Sequence, residues 1–239
     1  MNGFGTARFK AGGSGMNIRA QLFAMQDMAY RDFQCALMPT VPRERVIGVR
    51  TPQLRKLARS LAGAPEIPQF LADLPHAYYE EDNLHAFLLE GIRDFDACAQ
   101  AVDAFLLYVD NWATCDSMNP RVFAREADRL LPWIDRWLSA EQTYAVRFGI
   151  VMLMKHFLGE RFDVSHLERV AAIRSEAYYV NMAAAWFFAT ALTRQYEATL
   201  PYLVGKRLPP WTHNRAIRKA RESRAISAER KAHLKTLSI

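Results

Sequence analysis

Three cysteines in 239 residues, Cys35, Cys98 and Cys115, are too few, too widely spaced and of the wrong parity for a disulfide framework. That usage suits a reducing compartment, and the expected location is the cytoplasm. No uninterrupted apolar run reaches the ~18 residues of a membrane-spanning helix, so no membrane partner is expected. The six histidines are scattered, with no His-Glu-x-x-His and no Cys-x-x-Cys, which leaves a metal site without its usual ligand spacing. Neither a Gly-x-x-x-x-Gly-Lys loop nor a Gly-x-Gly-x-x-Gly turn is present, and a nucleotide cofactor has no support. A Gly-x-Ser-x-Gly elbow is also missing. If the chain is an enzyme, it works with little equipment, and no cofactor or metal is expected.

No alternating apolar and polar run with turn chemistry marks a strand. What is present is helical periodicity from end to end. Met1 to Met16 is rich in glycine, carries two basic residues and lacks the apolar stretch of a secretion signal. It is expected to be a disordered tail, leaving 17–239 as one helical-repeat domain. From Asn17 to about Cys35 the spacing of Ile18, Leu22, Met25 and Met28 predicts one helix. Thr51 before Pro52 reads as an N-cap, with Leu54, Leu57, Ala58 and Leu61 on one face and Arg55, Lys56 and Arg59 opposite. Further helices are expected over 78–92, from Asp94 to about Tyr108, and from Asn119 to Leu130. Pro132 should open a short one, and Ser139 to Gln142 reads as a capping box entering Tyr144 to Phe157. The C-terminal half continues with helices through Ser175 to Arg194 and from Pro210 and Ser227. Helices of roughly 10 to 20 residues, paired at a spacing of about 35 to 40, point to an all-α stacked helical repeat whose concave face suits an elongated partner.

Hydrophobic residues make up 51% of the chain, enough for a sizeable core, and the formal net charge is +6. The surplus is concentrated. Between Lys206 and Lys235 there are ten basic residues against Glu222 and Glu229, so the remainder is slightly acidic. A basic excess favours an anionic partner, nucleic acid ahead of a membrane surface. Arg215, Arg218 and Lys219 share a helical face behind Trp211, which reads either as a phosphate-contacting surface or as a solvated basic face.

Three stretches carry candidate chemistry. In Trp112-Ala113-Thr114-Cys115-Asp116 an aromatic and a carboxylate stand four residues apart, on one face of a helix. Such a pair can hold a cation, by ring quadrupole and by charge; a core tryptophan with a solvated aspartate has the same spacing. Asp116 sits where its helix should stop and where the dipole disfavours an anion. Arg147 interrupts the apolar run Tyr144 to Ile150, so it must find an anion or reach a groove. Tyr178 to Ala189, with Trp186, is apolar nearly all round and also fits a central buried helix.

Taken together with Gly48-Val49-Arg50-Thr51-Pro52-Gln53-Leu54-Arg55-Lys56-Leu57, these stretches are similar in order and separation to the AlkD family of bacterial DNA alkylation-repair glycosylases, over roughly Asn17 to Leu237. The resemblance implies a right-handed superhelix of antiparallel HEAT-like helix pairs, acting as a monomer with double-stranded, alkylated or distorted DNA in its concave basic face and associated with the nucleoid when bound. It implies hydrolysis of N-glycosidic bonds, releasing cationic N3- or N7-alkylated purines in base excision repair. Carried over by position, Asp116 would be the catalytic carboxylate, Trp112 and Trp186 the aromatic walls, and Arg147 a phosphate contact. Tyr30 is a weaker match, and Arg55, Lys56, Arg215, Arg218 and Lys219 would add DNA contacts. One departure stands out: active members carry an arginine three residues after the second tryptophan, where this chain has Ala189. The alternative is therefore a helical-repeat protein that binds branched or distorted DNA without excision.

Overall fold

The computed structural model describes residues 17–239, and the glycine-rich segment expected to be a tail lies outside the described residues. The described chain is all α-helical, without a strand. The N-terminal helices are α1 (Ile18–Ala24), α2 (Met28–Leu37), α3 (Thr51–Leu61), α4 (Ile67–Ala72) and α5 (Tyr79–Leu89). The middle holds α6 (Phe95–Leu106), α7 (Trp112–Ser117), α8 (Arg121–Arg125), α9 (Ala127–Leu138) and α10 (Thr143–His156). The C-terminal set is α11 (Val164–Ala171), α12 (Tyr178–Arg194), α13 (Tyr196–Val204), α14 (Pro210–Glu222) and α15 (Ala228–Thr236).

Alternate helices pack side by side. The order α3, α5, α7, α10, α12, α14 forms one layer, backed by α6, α9, α11, α13 and α15. This is an α-α helical repeat. Its period is written in side-chain bonds. In the first layer Glu80 reaches Gly48, Asn83 meets Thr114, Asp116 meets Arg147, and Arg147 reaches the Tyr179 carbonyl, all between residues 31 and 32 apart. On the other layer Asp96 and Arg129, Asp135 and Arg169, and Glu197 and Arg230 pair at separations of 33 to 34. These separations lie just under the roughly 35 to 40 residues expected from apolar spacing.

Several boundaries differ from expectation for local reasons. The helix predicted over Asn17 to Cys35 is broken at Met25–Asp27. The Asp27 carboxylate caps a new helix by accepting from the Tyr30 amide at 3.0 Å, while its own amide donates to the Gly48 carbonyl. Thr51 lies inside α3, whose N-cap is Arg50. The capping box expected at Ser139 to Gln142 does not form: Ser139 terminates α9, and the Gln142 amide is drawn away to the Leu107 carbonyl at 2.6 Å. Pro132 falls inside α9 on its exposed side, and the helix expected from Asn119 to Leu130 divides at Glu126. Asp94 does cap α6, accepting from Ala97 at 2.8 Å.

Glu80, Glu81 and Asp82 open α5, where the helix dipole favours anions, yet all three are buried. Glu80 is wrapped by the amides of Ile47, Gly48 and Val49 at 2.8, 2.7 and 3.2 Å. Burial pushes its carboxyl above the usual range, opposed by those three N–H groups. That cradle needs Gly48, whose φ of +96° places a hypothetical Cβ 2.5 Å from the Asp27 carbonyl oxygen. Gly48→Ala is expected to cost roughly 3 kcal/mol, combining left-handed strain with overpacking. Thermal melts would read this, and a loss under about 1 kcal/mol would mean that the loop has room to shift.

Candidate active site

The short helix α7 carries the centre of the site. Asn111 caps it, accepting from the Thr114 amide at 2.8 Å, and Thr114 and Cys115 point into the core. The four-residue spacing then turns Trp112 and Asp116 to the same side, where both line a cleft of about 640 Å³. The indole Nε1–H donates to the Leu37 carbonyl at 3.3 Å, one of the carbonyls left over at the end of α2. This fixes the ring against the N-terminal helices.

Asp116 stands in the last turn of its helix, an unfavourable end for an anion. Two cations offset this. Arg147 of α10 grips the carboxylate in a bidentate pair, Nε to Oδ1 at 2.8 Å and Nη2 to Oδ2 at 2.6 Å. Its Nη1 donates to the Tyr179 carbonyl at 2.8 Å, locking α7, α10 and α12 together. Burial works against the Arg147 charge, but the Asp116 partner more than restores it and raises its pKa above the ordinary value. Lys155, about two turns further along α10, donates to the Asp116 carbonyl at 2.8 Å and the Met118 carbonyl at 3.4 Å, capping the end of α7 with positive charge. Burial lowers the Lys155 pKa, and the Asp116 carboxylate opposes that.

The side chains of Asp116 and Arg147 both line the cleft, and the carboxylate is the more exposed of the two, 16% against 7% for Arg147. Arg147, expected to contact phosphate, is engaged at all three of its nitrogens by protein oxygens and is the partner of Asp116. A carboxylate offers about four lone-pair positions. Arg147 occupies two of them, which leaves room for a water or a cationic ligand.

The opposite wall comes from α12. Tyr178, Tyr179, Met182 and Trp186 line the cleft, and Trp186 is 37% exposed despite the apolar character of its helix. Its neighbours Phe187 and Phe188 are fully buried, as a central helix requires. Ala189, one turn beyond Trp186, is buried and brings no charge to the cleft. The cation in the cleft lining besides Arg147 is Lys219 of α14, which has no carboxylate within 4.0 Å among the described residues. Arg194 is exposed at the end of α12 and does not line the cleft.

Other predicted residues are not gathered here. Tyr30 lies on α2 beneath the Arg50 guanidinium, 4.8 Å from its ring centre, and donates no side chain to the cleft lining. Arg55 pairs with Glu90 at 2.7 Å and donates to the Ser117 carbonyl, behind α7; Lys56 is exposed on α3. Arg215 covers the Trp211 ring and Arg218 pairs with Glu222. Sequence reasoning missed Lys155, Tyr178 and Tyr179. Lys155 closes an apolar helix and looks like an ordinary terminal lysine; only the repeat spacing, 39 residues from Asp116, hints at its contact. Among the described residues no cluster of His, Cys, Asp or Glu is arranged to hold a metal ion, and no helix is long and apolar enough to cross a membrane.

No curated protein matches the chain. A family model described as DNA alkylation repair enzyme matches residues 18–220, which includes every residue lining the cleft. That match spans most of the sequence, and the chain belongs to the family of DNA alkylation repair enzymes, the AlkD-like proteins that its motifs resemble.

Proposed function

We infer that the protein is a DNA glycosylase that releases cationic N3- or N7-alkylated purines from duplex DNA without a metal or cofactor. The observation that carries this reading is the Asp116 carboxylate, held in one plane by Arg147 and facing an open cleft walled by Trp112 and Trp186. An alkylated purine already bears a positive charge and leaves readily, so the protein need only stabilise the sugar cation that develops as the bond breaks. A fixed anion aimed at that charge does so without reorganisation. The tryptophan faces attract the same cationic sugar by their quadrupole, and the free lone pairs of Asp116 orient the water that adds to it. The released purine takes the bond electrons, and the water proton passes to the carboxylate or to solvent. Lys219 supplies positive charge for the flanking phosphate.

Tyr178 and Trp186 in the cleft lining are exposed, which supports chemistry at the sugar in preference to capture of an extruded base in an enclosed pocket. The test is to remove one wall. Trp186→Ala is expected to slow release of N7-methylguanine by about 1–3 kcal/mol, roughly 5- to 150-fold, given what a stacked aromatic contributes. Unchanged release in a folded variant would take Trp186 out of the site.

A second reading, binding of distorted DNA without excision, is favoured by one feature of the same site. Both carboxylate oxygens of Asp116 are bonded to Arg147, as in a purely structural pair. The two readings separate on whether base release depends on Asp116.

A further inference from the structure

A second concentration of cations lies outside the cleft. A groove of about 630 Å³ runs between α3, the connection after α5, and α8, and five arginines line it: Arg55, Arg59, Arg93, Arg121 and Arg125. The carboxylate in the lining is Glu90, and it is already occupied by Arg55 at 2.7 Å and the Asn119 amide at 3.0 Å. The other four arginines have no carboxylate within 4.0 Å among the described residues. Arg129, Arg136, Arg169 and Arg230, by contrast, each face an aspartate or glutamate. Four like charges around one concavity repel each other, a cost that an anionic ligand relieves.

The kind of anion follows from the layout. Arg121 and Arg125 are one turn apart on α8, Arg59 projects from α3, and Arg93 follows α5, so the charges are spread along the groove. A single small anion would use one or two of them. A chain of phosphodiesters, each matched to the planar fork of a guanidinium, would use all four. Apolar Ile67 and Phe87 between the arginines suit the sugar edges of such a chain. Arg55 also ties the groove to α7, donating to the carbonyl of Ser117, the residue after Asp116, at 3.0 Å.

We propose that this groove is a second backbone-binding site, which holds phosphates of the DNA away from the reacting sugar and sets the register in which a nucleotide reaches Asp116. This rests on the nucleic-acid reading above, but not on excision. Because Arg59, Arg93 and Arg125 bond to no protein acceptor among the described residues, glutamine there removes charge without breaking an internal contact.

The test is the salt dependence of binding to an undamaged duplex of about two helical turns, roughly 20 base pairs, for the wild type and for the Arg121→Gln/Arg125→Gln and Arg59→Gln/Arg93→Gln proteins. Each lost phosphate contact lowers the log–log slope by about 0.9, so each pair should lose nearly two and bind about tenfold or more weakly at moderate salt. An Arg161→Gln/Arg174→Gln protein, with the same charge removed elsewhere, should keep the wild-type slope. Unchanged slopes in the folded groove variants, or an equal loss in that control, would overturn the proposal. Release of methylated bases is measured in parallel. A wild type that binds duplex with groove-dependent slope but releases nothing refutes the glycosylase and leaves the groove standing. Normal release with unchanged slopes in the groove variants does the reverse.

Discussion

Arg147→Met lowers the stability of the protein by about 3–5 kcal/mol, the usual cost of stripping one partner from a buried ion pair. The size follows from what is left behind. Asp116 would remain 16% exposed at the C-terminal end of α7, with no cation on its carboxylate and the dipole against it. The Tyr179 carbonyl would lose its donor at the same time. For a domain of this size the melting temperature should fall by roughly 10 °C. Methionine fills the volume of the arginine stem, so little of the loss comes from a cavity. Adding Asp116→Asn to Arg147→Met should recover more than half of the loss, because the unpaired charge is then gone. Circular-dichroism melts of the four proteins close the cycle. A single-variant loss under about 1 kcal/mol, or no recovery in the double variant, would mean that solvent screens the pair and that Arg147 does not position Asp116.

Asp116→Asn has the largest expected effect on chemistry, a loss of base release of about 10²–10³, the range seen when one preorganised electrostatic group is removed. The isosteric amide keeps an oxygen for Arg147 but has no net charge to set against a developing sugar cation, and its NH₂ is a poor neighbour for a guanidinium N–H. Some stability goes as well, so the comparison belongs at a temperature where the variant is fully folded. DNA affinity should stay within about threefold, since phosphate contacts set it and removing an anion from the cleft does not weaken them.

How much of this was legible in the sequence differs by level. The helical class and the stacked repeat followed from periodicity, because burying one face of each helix dictates the spacing of residues such as Leu54, Leu57 and Leu61. Boundaries were less legible where a side chain had competing uses. Gln142 could cap a helix but is spent on Leu107, and Asp27 interrupts an apolar stripe that continues past it. The Trp112 and Asp116 juxtaposition was visible as a four-residue spacing. The demand that Arg147 find an anion was visible too, but not which anion. That needed the lateral register between α7 and α10, which no local pattern encodes. Burial of Glu80, Glu81 and Asp82 was hidden for the same reason: three adjacent acids suit a helix start, and nothing local shows that the Gly48 turn and Arg45 fold against them. The arginine groove is the extreme case: Arg55 and Arg59 were legible as one basic helix face, but nothing along the chain joins them to Arg93, Arg121 and Arg125.

The proposed mechanism is that a carboxylate held by Arg147 between two tryptophans performs the chemistry. Its most direct test is single-turnover release of N7-methylguanine and N3-methyladenine from methylated duplex DNA, with wild type and Asp116→Asn compared at saturating protein. The account predicts release by the wild type and a loss of at least about a hundredfold in the variant with DNA still bound. Release that is equal in the two proteins, or absent from a folded wild type that binds the duplex, would contradict it.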